Sequence, residues 1–172
     1  MSVLFGVDVL LQSDSVSWKK HRIGMITNEA ATTKSMAPSR LALQKAGFNL
    51  TKLFSPEHGI SATGADGAPM LNGVDELTDL PIISLYGQKL TPTEEDLADI
   101  DILLFDVPDV GVRFYTYLWT LSYLLETSAT YSIQLVVLDR PNPISGNFEL
   151  CEGPWLNDAC SSFIGRWPMP IR

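Results

Sequence analysis

Five short apolar runs, spaced so that helix-like stretches separate them, constrain this chain more than any other feature. They lie near residues 22–27, 49–54, 81–85, 101–106 and 134–139, and each ends in a turn rich in polar residues, proline or glycine. Runs of that length bounded by turn signals fit strands buried on both faces, and the intervening helical stretches supply the crossovers that parallel pairing needs. The clearest is Ile100–Tyr117, where Ile102–Phe105 leads into an acidic turn of Asp106, Pro108, Asp109 and Gly111. A helix is expected from Val112 to about Ala129; Phe114, Leu118, Leu121 and Leu125 mark one face, but Tyr117, Trp119 and Leu124 make it apolar nearly all round, so burial on several sides is expected. Further helices are expected in the first apolar segment, Gly6–Leu11, from Pro38 to Ala46, where proline opens and Gly47 closes the pattern, and from Thr91 to Asp99. The fold class that follows is α/β, an open parallel sheet of about five strands with helices on both faces.

In a parallel sheet all five strand ends point to one edge, and there the polar residues collect. Thr27-Asn28, Ser55-Pro56-Glu57-His58, Leu85-Tyr86, Asp106 to Arg113, and Asp139-Arg140-Pro141-Asn142 therefore converge on one crevice. Glu57 is the leading catalytic candidate. Pro56 stiffens its turn, Gly59 lets the backbone pass close to a ligand, and an apolar crevice is expected to raise its pKa toward that of a general acid. His58 joins it as a catalytic candidate, with a structural role as the other reading. Asn28, Asp106, Asp109, Asp139, Arg140 and Asn142 are candidate ligand contacts, and Tyr115 and Tyr117 are candidates to stack on a sugar ring or to fill the core. Arg113 falls in the expected first turn of a helix, against the helix dipole. That suggests an anion as its partner, with Asp106 or Asp109 as the internal alternative.

The other bounds are broad. The 172 residues suit one well-buried domain, and a net charge of -8 argues against nucleic acid as a partner. No apolar run approaches the ~20 residues of a membrane span. No secretory leader is recognisable, which points to a cytoplasmic or an already processed protein. Cys151 and Cys160 leave the compartment open. No G-x-G-x-x-G follows the first strand and no phosphate-loop or G-x-S-x-G motif occurs, so no cofactor is expected. Metal ligation is not expected either, with only His58 near the carboxylates. A metal-dependent phosphoryl-transfer site built from Asp106, Asp109 and Asp139 stays as an alternative, as does a non-catalytic sugar-binding or partner-binding domain.

Four multi-residue motifs resemble the NamZ-type exo-β-N-acetylmuramidases of bacteria: Ser55-Pro56-Glu57-His58-Gly59; Leu85-Tyr86-Gly87; Phe105-Asp106 with Asp109-Val110-Gly111 and Arg113-Phe114-Tyr115-Thr116-Tyr117; and Leu138-Asp139-Arg140-Pro141-Asn142-Pro143. The resemblance implies a Rossmann-like domain and a glycoside hydrolase that releases terminal N-acetylmuramic acid from peptidoglycan fragments, with Glu57 as the catalytic acid. Pro108 stands where the family usually carries glutamine. It also implies a division at residue 143, with an irregular tail over residues 144–172 leading to a second domain as partner. Trp155, Phe163, Trp167 and Met169 in that tail are expected to lie across the sheet domain, partly exposed, and to favour self-association.

Overall fold

The computed structural model describes residues 3–65 and 67–171, so Asp66 of the glycine-rich loop and the chain's first two residues and last residue lie outside it. A six-stranded sheet runs in the order β3-β4-β2-β1-β5-β6. Its members are β1 (Ile23–Thr27), β2 (Leu50–Ser55), β3 (Gly73–Val74), β4 (Pro81–Ser84), β5 (Ile102–Asp106) and β6 (Gln134–Val137). The helices are α1 (Gly6–Gln12), α2 (Ser39–Lys45), α3 (Glu94–Leu97) and α4 (Thr116–Tyr131). All five expected strands are present and pair in parallel.

Side chains alternate across the sheet as the period of two demands. Met25, Leu53 and Leu104 face α1 and α2, where Val7, Leu10 and Leu43 complete one core. Ile26, Phe54, Leu103 and Phe105 face the other way, onto Leu97 of α3 and Tyr117 and Leu124 of α4. Both faces are thus covered by helices, as strands buried on two sides require.

Three features differ from the sequence reading. The first is β3, an antiparallel edge strand pairing Gly73 with Ile82 and Val74 with Pro81. Two exposed residues carry no alternation; tertiary anchoring makes this strand. Asp75, which follows it, is buried and ion-paired to the equally buried Arg40 of α2 at 3.0 Å, and Arg40 also holds Glu29 at 2.5 Å.

Second, α4 begins at Thr116 rather than Val112. Gly111 has φ +80, and a Cβ there would sit 2.2 Å from Asn142 Oδ1. Tyr115, the N-cap, is extended. Third, the face of α4 that Phe114, Leu118, Leu121 and Leu125 mark is only partly covered, while burial on several sides is as the all-round apolar pattern requires. Phe114 and Leu125 are exposed, whereas Tyr117 and Leu124 meet the sheet and Trp119 and Ser122 meet the tail.

The tail, residues 144–172, holds two single 3₁₀ turns, Phe148–Leu150 and Asp158–Cys160. It lies across the start of α4. Arg166 donates to Ser122 Oγ (2.7 Å) and Glu126 Oε1 (2.6 Å), and the Trp167 ring meets Trp119 edge-on at 5.9 Å. Trp155, Phe163 and Trp167 stay 59%, 47% and 46% exposed.

Removing one member of a buried ion pair strands the other charge, at a cost of roughly 3–5 kcal/mol. Arg40→Met should therefore lower stability by about that amount in urea denaturation. A loss under about 1 kcal/mol would show that Arg40 does not secure the β3 segment.

Candidate active site

Glu57 sits one residue past Pro56 at the end of β2, and its side chain is buried. The turn it occupies is strained. His58 and Gly59 both have positive φ, 66 and 74, a conformation that non-glycine residues rarely adopt and that clusters at functional sites. The ring of His58 secures the turn: its Nδ1 lies 2.8 Å from the Gly64 carbonyl oxygen. A carbonyl only accepts, so Nδ1 carries a proton.

The Glu57 carboxyl is gripped from three directions. Gly67 N–H donates to Oε1 at 3.3 Å, and the hydroxyls of Thr116 and Tyr86 also donate to the carboxyl. Burial is the largest single influence and pushes its pKa up. These three donors, aided by nearby His58, outweigh it and hold the pKa below the usual 4.5. The raised pKa expected from the sequence is therefore corrected: burial acts as anticipated, but hydrogen bonds to the ionised form win.

Glu57, His58 and Tyr115 line one cavity of about 550 Å³. Tyr86, Phe114, Thr116, Phe163 and Ile164 complete its wall. Tyr86 and Thr116 stand inside quoted motifs but were not singled out. Phe163 and Ile164 come from the tail, where no periodicity marks them.

A second hollow of about 260 Å³ is lined by Asp109, Tyr117, Asp139, Arg140 and Asn142 among apolar neighbours. Tyr117 lines this hollow and reaches from it to the Glu57 backbone. Its hydroxyl donates to the Glu57 carbonyl oxygen at 3.3 Å, its ring lies 4.8 Å from that of Tyr115, and burial pushes its phenol up to about 12. Asn28 is fully buried behind it, with Oδ1 accepting from Ala30 N–H at 3.1 Å and the side chain beside the Tyr117 hydroxyl.

Two candidates have internal partners. Asp106 is wholly buried and ion-paired to Arg140 at 2.7 Å. Arg113 is neither a residue of a helix nor paired to Asp106 or Asp109. Its guanidinium donates to the carbonyls of Pro154 (2.9 Å) and Met169 (2.6 Å), and its N–H to Ile171 at 2.7 Å. The expected anion seat is thus filled by the tail backbone. Nor do Asp106, Asp109 and Asp139 share a centre. Asp109 Oδ2 accepts from Gly111 N–H and Asp139 Oδ1 from Arg140 N–H, and no metal-holding group of three ligands occurs among the described residues. Cys151 and Cys160 are unbridged and exposed. No helix among the described residues is long and apolar enough to cross a membrane.

Residues 23–172 match the family described as exo-beta-N-acetylmuramidase NamZ, N-terminal. The chain belongs to the NamZ family. It is 42% identical over 168 residues to a peptidoglycan beta-N-acetylmuramidase NamZ of Bacillus subtilis, covering 97% of this chain and 40% of that relative. Two crystal structures of DUF1343 family proteins from Bacteroides fragilis are also similar. One has a TM-score of 0.84 at 35% identity, covering 98% of this chain and 42% of that one. The other has a TM-score of 0.78 at 31% identity, covering 99% and 43%. The chain therefore spans about two fifths of the length of these relatives.

Carboxyl NMR checks the Glu57 environment. Its midpoint should fall below 4.5, and Thr116→Val should move it up by removing a donor. Because the folded pKa is depressed, the stability Glu57 contributes is held above the unfolded value and lost as pH falls through the folded one. A midpoint above 4.5 in the unsubstituted chain would contradict the three-donor grip.

Proposed function

We propose that this chain is the catalytic-acid half of a glycosidase that removes terminal N-acetylmuramic acid from peptidoglycan fragments. The observation that carries the reading is Glu57: a buried carboxyl on a strained strand-end turn, facing a cavity large enough for a sugar and walled by aromatic side chains. Family membership and the named activity of the Bacillus relative support it. No cofactor enters the proposal.

A general acid must hold its proton when the bond breaks. Glu57 alone in this cavity is ionised at neutral pH, so the proposal requires its pKa to rise on substrate binding. Filling the cavity displaces water and strengthens the burial that is already the largest influence on this group. His58 holds the turn through Gly64 and sets the direction in which Glu57 points. Asp109, Tyr115, Tyr117, Asp139 and Asn142 form the proposed substrate wall, and Asn28, buried behind Tyr117, supports it from within. Arg140 shapes it from behind through Asp106.

The division at residue 143 and the role of the tail belong to the same proposal. Phe163 and Ile164 already wall the Glu57 cavity, and the exposed Trp155 and Trp167 beside them suit contact with the remaining three fifths of the relatives' length. Without that cover the same surface should drive self-association, read by sedimentation.

One observation favours a binding domain without turnover: the three donors that keep Glu57 ionised. Hydrolysis of a chromogenic N-acetylmuramide decides between the two. The chain supplied with the rest of a relative's length should turn the substrate over, and Glu57→Gln should lose roughly two to four orders of magnitude in rate while still binding sugar. Unchanged turnover in that variant would move the acid elsewhere. Binding without turnover in the unsubstituted protein would support the binding domain.

A further inference from the structure

The turn that carries Glu57 is not the type its own residues favour. Gly59 N–H donates to the Pro56 carbonyl at 3.0 Å, which closes a four-residue turn with Glu57 and His58 at its centre. Of the two central residues, His58 has a positive φ of 66 and Glu57 does not, the pattern of a type II turn. Type II calls for glycine at that third place, and this chain has histidine there. Type I, which most residues accept, differs by a half-turn of the central peptide plane, the one joining Glu57 to His58. The bonds His58 makes to Gly64 lie beyond its Cα and leave that plane free to turn.

Tyr117 holds it. Its hydroxyl donates at 3.3 Å to the Glu57 carbonyl, which is the oxygen of that same peptide. A half-turn of the plane would carry the oxygen to the opposite side and break this bond. The strain of a positive φ at a non-glycine residue and a neutral hydrogen bond are of the same order, so one bond can decide the turn. The donor is a durable one. Tyr117 is buried in the first turn of α4 with Asn28 beside its hydroxyl, and burial pushes the phenol up to about 12, so it keeps its proton. Thr116, the residue before it, places its own hydroxyl on the Glu57 carboxyl. The start of α4 thus grips both parts of one residue, the backbone through Tyr117 and the side chain through Thr116.

We propose that Tyr117 is a positioning residue: its hydroxyl selects the type II form of the Pro56–Gly59 turn and so aims the Glu57 carboxyl into the cavity. The proposal rests on the glycosidase reading for the catalytic role of Glu57, but its first test needs no turnover. Tyr117→Phe is the informative variant, because it keeps the ring and removes only the hydroxyl. That hydroxyl bonds the backbone of Glu57 rather than its carboxyl and is uncharged throughout the carboxyl titration. A role in packing alone would therefore leave the Glu57 midpoint where it is.

NMR of the 172-residue chain reads the turn directly, because the Overhauser effect between a residue's amide proton and its own Hα is strong at positive φ and weak at negative φ. At His58 it should be strong, and it should weaken in Tyr117→Phe. The Glu57 midpoint should move up with it, as the carboxyl loses Gly67, Thr116 and Tyr86. Glycine takes the third place of a type II turn without strain. In a His58→Gly chain, therefore, adding Tyr117→Phe should leave the midpoint where His58→Gly alone sets it. A thermal melt of each variant confirms folding, and the glycine pair carries the test if Tyr117→Phe alone fails to fold. With the rest of a relative's length supplied, Tyr117→Phe should lower kcat on a chromogenic N-acetylmuramide about tenfold at nearly unchanged KM. A weak His58 signal in the unsubstituted chain, an unmoved signal and midpoint in Tyr117→Phe, or the same midpoint shift in both backgrounds overturns the proposal. A shifted turn with unchanged kcat would count against Glu57 as the acid, and so against the glycosidase reading alone.

Discussion

The buried ion pair between Asp106 and Arg140 is the contact on which the crevice depends. Asp106 ends β5 with no exposure, and a carboxylate in that position needs a paired, hydrogen-bonded cation. Arg140 answers from the turn after β6, and its Nη2 is used as well. Nη2 donates to the Thr32 carbonyl at 2.8 Å and to Ser39 Oγ at 3.2 Å, and the guanidinium lies over the Phe5 ring at 4.9 Å. One side chain thereby ties the ends of β5 and β6 to the loop after β1, the start of α2 and the approach to α1. It does so where the strand order reverses between β1 and β5, the point at which open α/β sheets bind ligands.

The same economy explains Arg113. Its placement looked anomalous only on the assumption that it begins a helix. The chain from Val107 to Tyr115 is instead non-helical, and Arg113 holds the tail carbonyls against the domain. That clasp makes Phe163 and Ile164 part of the Glu57 cavity wall, so the tail and the Glu57 turn are one structural unit even though they are about a hundred residues apart in sequence.

What was legible in the sequence follows from the range of the forces involved. β1, β2, β4, β5 and β6 announce themselves because burial on two faces demands local apolar runs, and the turn around Glu57 because proline and glycine shape the backbone where they stand. β3 was hidden because Arg40, more than thirty residues earlier, anchors it through Asp75. α4 reads as apolar nearly all round, which implies burial on several sides but does not say that the tail would claim Trp119 and Ser122. Glu57 was found by its own turn. Its ionisation was not, because Gly67, Tyr86 and Thr116 reach it from three other segments and reverse the effect of burial.

A crystal structure of the chain soaked with N-acetylmuramic acid decides whether a sugar's anomeric oxygen comes to Glu57 in the strand-end cavity. The pyranose ring should lie between Tyr115 and Phe163, with its anomeric oxygen within hydrogen-bond distance of the Glu57 carboxyl. A sugar bound at the tail surface or elsewhere, with the cavity unoccupied and Glu57 still held only by Gly67, Thr116 and Tyr86, would contradict that placement.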